Sequence, residues 1–398
     1  EPMFAGAAAR AEQARTYSPG SLRPETARAL YGAELHFSSS RVDVLAGCRF
    51  AHFLQYGLRA QEREPAEFDS RFYGTFVHDV LEHVVQQTER EGGFAAVPRG
   101  RVQALAQERM EQNAQTLLET FPDSGRTGYL LRRTFDEVTQ VVDELYDELS
   151  VSAFRPKFCE LEFSARGALP GVAFAGERCR GVVEGFVDRV DVWQSGGRPY
   201  VRVVDYKTGK KSFDYTNVLH GRGLQMLLYL FALVRQGGHL LHGEPLPAGV
   251  LYFPARIERV SVRDRLAQAE IEKERRKQLR RSGVLLNSDP VLEAMEPCGG
   301  SPRFLPYTLD KEGRKTGDLA SFAQLAQLER FVFRTVAALG DELADGRIDP
   351  DPCIRDAKDS ACAFCPYSEV CAGHEQPRWL KKITAEEFWQ TLERREHG

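Results

Sequence analysis

Four residues in two short segments, with a histidine upstream, have the types and spacing of a hydrolytic metal site. They are Asp188 in Gly185-Phe186-Val187-Asp188-Arg189-Val190-Asp191, and Asp205, Tyr206 and Lys207 in Val203-Val204-Asp205-Tyr206-Lys207-Thr208-Gly209, with His78 upstream. Residues two apart in a strand share a face. Asp205 and Lys207 therefore point one way and Tyr206 the other. Asp188 lies in the preceding apolar stretch and can face them. Two carboxylates converging on a buried sheet repel and are costly to desolvate, and a divalent cation between them removes both problems. Mg²⁺ takes one or two carboxylates, waters and phosphate oxygens. A lysine beside it can orient the attacking water and offset charge developing on a phosphate. Asp-x-Lys alone is common on solvated hairpins. Here it follows Val201, Val203 and Val204, the pattern of a buried strand.

The elements that must hold these groups are readable from periodicity. Alternation predicts strands near 181–193 and 200–207, joined by the turn-forming Gln194–Pro199. Phe76, Val80 and Val84 form a helical stripe, and His78 and Glu82 share another face of that helix. An apolar helix over about 218–236 places Gln225 and Tyr229 on one face. Further helices are expected near 40–58, 70–91, 100–120, 127–149, 262–281, 320–343 and 384–395, with strands near 157–164 and 249–254. Residues 95–150 read as a helical insertion beside the core. Arg275-Arg276-Lys277 and Arg280-Arg281, interspersed with acids, read as a solvated helix face.

Eight cysteines in 398 residues are too sparse for an oxidised secreted scaffold, which points to a reducing cytoplasm. Cys362-x2-Cys365-x5-Cys371 in a loop-rich segment is a strong metal signal. Three thiolates need a fourth. Cys353 is nearest in sequence, and a four-thiolate zinc site and an iron–sulfur cluster both fit. Cys159, Cys179 and Cys298 read as free thiols. The net charge of −4 excludes a general DNA-coating protein but not local phosphate contacts, for which Lys210-Lys211 is placed just after the acidic strand. No Gly-x4-Gly-Lys-Ser/Thr loop for nucleotide triphosphates occurs, and no apolar run reaches membrane-spanning length.

The ordered motifs Gly74-Thr75-x-x-His78-x-x-Leu81-Glu82, Gly185–Asp191, Val204–Gly209 and Gln225-x3-Tyr229 resemble the RecB-like branch of the PD-(D/E)XK nucleases. That resemblance implies an α/β fold with a restriction-endonuclease-like core: a mixed sheet flanked by helices, a helical insertion and a C-terminal iron–sulfur loop at about 353–374. It implies metal (Mg²⁺ or Mn²⁺) held by His78, Asp188, Asp205 and the main-chain carbonyl of Tyr206. Lys207 would be the catalytic lysine, with Gln225 and Tyr229 on the helix near DNA. Glu82, Glu184 and Lys210 are supporting candidates. In members with an iron staple, one N-terminal cysteine joins the C-terminal set. Cys48, Cys362, Cys365 and Cys371 match that layout for one [4Fe–4S] cluster, and Cys353 departs from it.

Phe37–Leu58, Phe68–Val84 and Ala248–Phe253 sharpen the resemblance to the AddB family, the B subunits of bacterial ATP-dependent helicase–nucleases that process broken DNA ends. The expectation is a Mg-dependent deoxyribonuclease domain over 36–398, acting as an exonuclease. Residues 1–35 would be the exit from a helicase-like region. The expected partners are linear DNA ends, a single strand fed by a helicase, and an AddA-like helicase–nuclease subunit, with no membrane. A non-catalytic DNA-end-binding module and a free-standing exonuclease are the rival readings.

Overall fold

A computed structural model describes residues 6–11, 20–60, 70–120, 125–209, 212–257, 268–371 and 377–397. Its centre is an eight-stranded mixed sheet. In chain order the elements that position the site are β1 (Leu35–Ser38), α1 (Ser39–Gly47), α2 (Ser70–Arg90), α3 (Arg99–Thr120), α4 (Gly125–Leu149), β2 (Arg155–Phe163), β3 (Val172–Ala175), β4 (Arg180–Ser195) and β5 (Arg198–Lys207). They are followed by α5 (Gln225–Gln236), β6 (Leu246–Pro254), β7 (Ser282–Leu286), β8 (Leu319–Ala320), α6 (Phe322–Ala344) and α7 (Ala385–His397).

β4 is the longest strand and organises the rest. Its first part pairs with β1 in parallel and with β3 antiparallel, while its second part lies between β2 and β5, both antiparallel. The exchange of partners falls around Gly185, whose φ of 152° is open to glycine and rarely to other residues. β5 runs parallel to β6, which runs antiparallel to β7. β5 and β6 are buried on both faces, in keeping with Val201, Val203 and Val204 in the one and the apolar run 248–253 in the other. α2, α5 and α6 contribute Val80, Val84, Leu227, Leu230, Leu328 and Val332 to the same core.

The helices expected near 100–120 and 127–149 are present as α3 and α4, and they are tied to the sheet by charge as well as by packing. Arg189, Asp191 and Arg202 are wholly buried under α4. Arg202 reaches Glu148 of α4 at 2.9 Å and Asp191 at 2.8 Å. Burial alone would push the Glu148 carboxyl up. Arg281, Arg202 and Arg189 outweigh it and hold Glu148 down at about 2. Arg281 corrects the expectation of a solvated basic face. The charged helix ends at Leu279, and Arg281 beyond it turns inward to Glu148 at 2.7 Å. Part of the predicted stretch, 258–267, lies outside the described residues.

Other boundaries shift for local reasons. The expected helix 40–58 is broken at Cys48, which is extended (φ −163°), and ends in a wide π turn over Phe53–Gly57. Ser38 caps its first part through the Arg41 N–H, as a serine there should. The expected helix 218–236 is two helices, Tyr215–Leu219 and α5, separated by Gly221 and Gly223 at positive φ. Strands β1, β3 and β7 are too short to announce themselves by alternation. Before β1, the helix Pro24–Tyr31 buries Ala27 and Tyr31, so the packed unit reaches into the expected exit segment. Among the described residues no helix is long and apolar enough to cross a membrane.

Candidate active site

The β4–β5 register pairs Arg189 with Val204, which sets Asp188 across from Asp205. The β2–β4 register pairs Cys159 with Arg189 and Leu161 with Val187, which sets Glu160 across from Asp188 on the other side. Three carboxylates thus stand in a row over three adjacent strands. Like charges directly opposite in a sheet destabilise it unless something neutralises them. Glu160 is also one of the few non-glycine residues with positive φ, at 48°. A left-handed residue inside a strand is strained and is kept where the surroundings demand it.

α2 runs along this row and supplies His78. Its Nε2 lies 2.8 Å from the Tyr206 carbonyl oxygen, and its Nδ1 lies 3.6 Å from Asp188 Oδ2. Asp188 Oδ2 accepts the Tyr206 N–H at 2.6 Å. The ligand atoms of His78, Glu160 and Asp188 all lie within 4.8 Å of one another. Asp205 is 4% exposed, and its Oδ2 makes no hydrogen bond of acceptable geometry; its contact is the Lys207 ammonium. A buried carboxylate oxygen that has an ammonium beside it but no well-formed hydrogen bond, next to three clustered ligand groups, is one that a divalent cation would also satisfy, so these residues fit one. Burial, then the facing Asp205, pushes Asp188 up to about 7; His78 and the Tyr206 N–H pull the other way. Glu160 is raised by burial and by Glu82.

The Tyr206 carbonyl is aimed at the site because its ring is locked on the far face. The ring is buried against Phe253, and its hydroxyl accepts from the Arg189 guanidinium at 3.0 Å. The arrangement is therefore a histidine, three carboxylates, a main-chain carbonyl and a lysine, set by two hairpin partners and one helix. Comparison with known families agrees: the model of the PD-(D/E)XK nuclease superfamily matches residues 36–372. This chain belongs to the PD-(D/E)XK nuclease superfamily.

Curated relatives extend the similarity over nearly the whole chain. The B subunit of the ATP-dependent helicase/deoxyribonuclease of Moorella thermoacetica is 35% identical over 357 residues, covering 88% of this chain and 31% of the relative. The protein of the same name from Caldanaerobacter subterraneus is 31% identical over 362 residues, covering 87% and 30%. That of a Thermoanaerobacter strain is 29% identical over 382 residues, covering 92% and 33%. The chain spans about a third of the length of these relatives.

Within this PD-(D/E)XK nuclease the other expected residues fall into distinct places. Tyr229 is buried, and its hydroxyl donates to the Glu184 carbonyl at 3.3 Å, beneath β4. Gln225 is half-buried at the first turn of α5. Glu82 shares the His78 face but accepts from Gln86 at 2.8 Å. Glu184 faces His36 of β1 at 3.6 Å, away from the carboxylate row. Lys210 lies outside the described residues. Glu160 is the residue that sequence reasoning passed over. In Cys159-Glu160-Leu161-Glu162-Phe163 the buried Leu161 and Phe163 make Glu160 look like one more solvent-side acid. Its pairing with Asp188 is a matter of register.

The four cysteines Cys48, Cys362, Cys365 and Cys371 line one cavity of about 100 Å³, with Pro350, Pro352 and Tyr367. Cys353 does not line it; its thiol turns away to the Ala46 carbonyl at 3.4 Å. Burial pushes Cys48 up to about 11 and raises Cys362 as well. The thiols share the cavity without being drawn together: among the described residues, His78, Glu160 and Asp188 are the one group of three or more ligand types within 4.8 Å. Cys159, Cys179 and Cys298 are half-buried and unpaired with other cysteines.

Proposed function

We propose that this chain is the metal-dependent deoxyribonuclease domain of an AddB-like subunit, hydrolysing DNA phosphodiester bonds as broken ends are prepared for recombinational repair. The observation behind this reading is the row Glu160–Asp188–Asp205 with His78 and Lys207 at its edge. Such a row is unfavourable without a cation, and a module that only binds DNA has no use for it. His78, Glu160, Asp188, Asp205 and the Tyr206 carbonyl would hold Mg²⁺ or Mn²⁺. The ion, when bound, would polarise the scissile phosphate and acidify water. Lys207 orients the attacking water and offsets charge gathering on the phosphoryl oxygens. Asp205 holds the ammonium in place. Arg189 acts at one remove, by fixing the Tyr206 ring.

Cys48, Cys362, Cys365 and Cys371 would hold a [4Fe–4S] cluster. A single zinc at about 2.3 Å from each sulfur needs its thiolates within roughly 4 Å of one another. A cubane accepts wider spacing, which suits four thiols that line one cavity with no three of them within 4.8 Å of one another. The reading extends to linear DNA ends as substrate, a single strand delivered by a helicase, exonucleolytic cleavage, an AddA-like partner and a cytoplasmic setting. These rest on the names of the relatives and on the resemblance. The decisive experiment is cleavage of end-labelled linear DNA by the purified chain with and without Mg²⁺, against Asp205→Ala. Cleavage that survives Asp205→Ala or chelation would overturn the assignment.

A further inference from the structure

Beside the carboxylate row lies a second cavity of about 320 Å³, walled by β6, the helix Tyr215–Leu219, α1 and the cysteine loop. Its size suits a small organic group. Its wall toward the metal site is Tyr252, which pairs with Asp205 across β5 and β6 and lies 5.6 Å from the Lys207 ammonium. Its outer rim is Phe364, between Cys362 and Cys365, which is 96% exposed. An aromatic ring held almost wholly in water at the mouth of a cavity is a stacking platform without its partner.

Two of the polar groups inside are also unspent. Asn217 Oδ1 and Arg222 NH1 are buried, line the cavity and make no hydrogen bond among the described residues. The carboxylate facing Arg222 is Asp359, at 3.9 Å. The acids that line the cavity are engaged elsewhere. Asp43 accepts the Gly223 N–H at 2.7 Å, and Asp214 caps its helix through the Asn217 N–H and pairs with Arg355 at 3.0 Å. What the cavity offers a ligand includes a flat apolar face, an amide oxygen and a guanidinium, with Gln55 and Ser212 also on its wall. That set matches a heteroaromatic ring with N–H and carbonyl edges.

We infer that this cavity takes an unstacked nucleobase of single-stranded DNA, stacked on Phe364 and bonded at its edge by Asn217 and Arg222, next to the scissile phosphate. The inference rests on the nuclease reading for the identity of its ligand. A duplex cannot offer a base in this way, so the cavity selects the single strand.

The test uses the whole chain in Ca²⁺, with binding of a fluorescent twelve-residue oligothymidylate followed by anisotropy and a blunt duplex of the same length as control. Phe364→Ala should weaken oligothymidylate binding about tenfold, the scale of one lost stacking contact, and leave duplex binding and thermal stability unchanged. Phe364→Trp should bind as the wild type does, with its added indole fluorescence quenched by the strand. Asn217→Ala should weaken binding to a smaller extent. Equal binding by Phe364→Ala, an equal loss on blunt duplex, or no measurable binding by the wild type would overturn the inference. Wild-type cleavage in Mg²⁺, scored separately, keeps the two readings apart. Cleavage with unaltered Phe364→Ala binding removes the base pocket alone. Phe364-dependent binding without cleavage removes the nuclease reading alone.

Discussion

Asp188 stands between two other carboxylates, and its ionisation is therefore coupled to whatever cation is present. Its pKa of about 7 is raised above the ordinary 3.8 by burial and by Asp205. A carboxyl raised on folding contributes stability below its unfolded pKa and loses that contribution as pH rises through the folded value. Metal-free protein should thus become less stable from about pH 4 to about pH 7. Mg²⁺ bound at Asp188 would reverse this by replacing the proton, so the gain in Tm on adding Mg²⁺ should be larger at pH 8 than at pH 5.5. Equal gains at both, measured by scanning calorimetry, would mean that Asp188 is not a ligand. For catalysis, Asp205→Ala and Lys207→Ala should each reduce Mg²⁺-dependent cleavage by at least a hundredfold, with the fold intact by circular dichroism. Glu160→Gln should act more mildly and raise the Mg²⁺ concentration for half-maximal cleavage, by roughly tenfold. At this scale the convergence of Asp188, Asp205 and Lys207 was legible, because acid and lysine inside valine-rich strands contradict their surroundings; His78, on a helix, was singled out only through the family resemblance. Glu160 was not legible. Its acid sits at ordinary strand parity, and only the bulge between Pro156 and Phe158 brings it into line.

At the scale of elements, β4 does two jobs with one backbone, and Gly185 is the joint between them. A Cβ at that position would stand 2.2 Å from the Tyr229 hydroxyl oxygen. Gly185→Ala should therefore destabilise the protein, by about 1–3 kcal/mol. Pairing it with Tyr229→Phe should return part of that loss in urea unfolding, because the clashing oxygen goes while the backbone strain stays. The α3–α4 pair has its own anchor. Glu148→Ala would leave the buried Arg202 with Asp191 and Arg281 with Glu144, each short of one carboxylate, a change that costs at most about 3–5 kcal/mol. Glu148→Gln would keep the shape and lose the charge. If neither variant lowers the urea midpoint, the charged contact is incidental to packing. Long elements were readable from periodicity: α2, α3, α4, α6, β4 and β5 all fall within a few residues of expectation. Strands of four or five residues such as β1 and β3 were not, since so few positions carry no period. Arg281 misled for another reason: charge alternation says nothing about a residue placed after a helix has ended.

Over the whole molecule, the first and last parts of the chain are laced together. Arg49 reaches Asp351 and Glu342, and Arg378 donates to the Ala46 carbonyl at 2.6 Å. The cysteine cavity sits on this seam, with Cys48 from one part and three cysteines from the other. A single crosslink across so long a loop is worth roughly 5–6 kcal/mol at most by chain entropy. That is comparable with the whole stability of many domains, about 5–15 kcal/mol. Cys48→Ala should therefore bleach the brown colour expected of a thiolate-bound iron–sulfur centre and lower Tm for the whole domain. Cys353→Ala should do neither. Retained colour in Cys48→Ala with loss in Cys353→Ala, followed by absorbance near roughly 400 nm, would make Cys353 the fourth ligand. The sequence left this choice open, because distance along a chain does not say which thiols meet.

The lacing also bears on how the protein is made. Arg49 and its partner Asp351 are 302 residues apart, and β1 waits for β4 before it has any neighbour to pair with. At about 5–20 residues per second a ribosome needs roughly 15–60 s to deliver the second after the first. During that interval α1 and β1 lack part of their packing: β4 arrives about midway, and α6, which packs on α1, only near the end. Nascent chains of this protein should therefore be held by chaperones until the last hundred residues emerge, and should acquire protease resistance late and in one step.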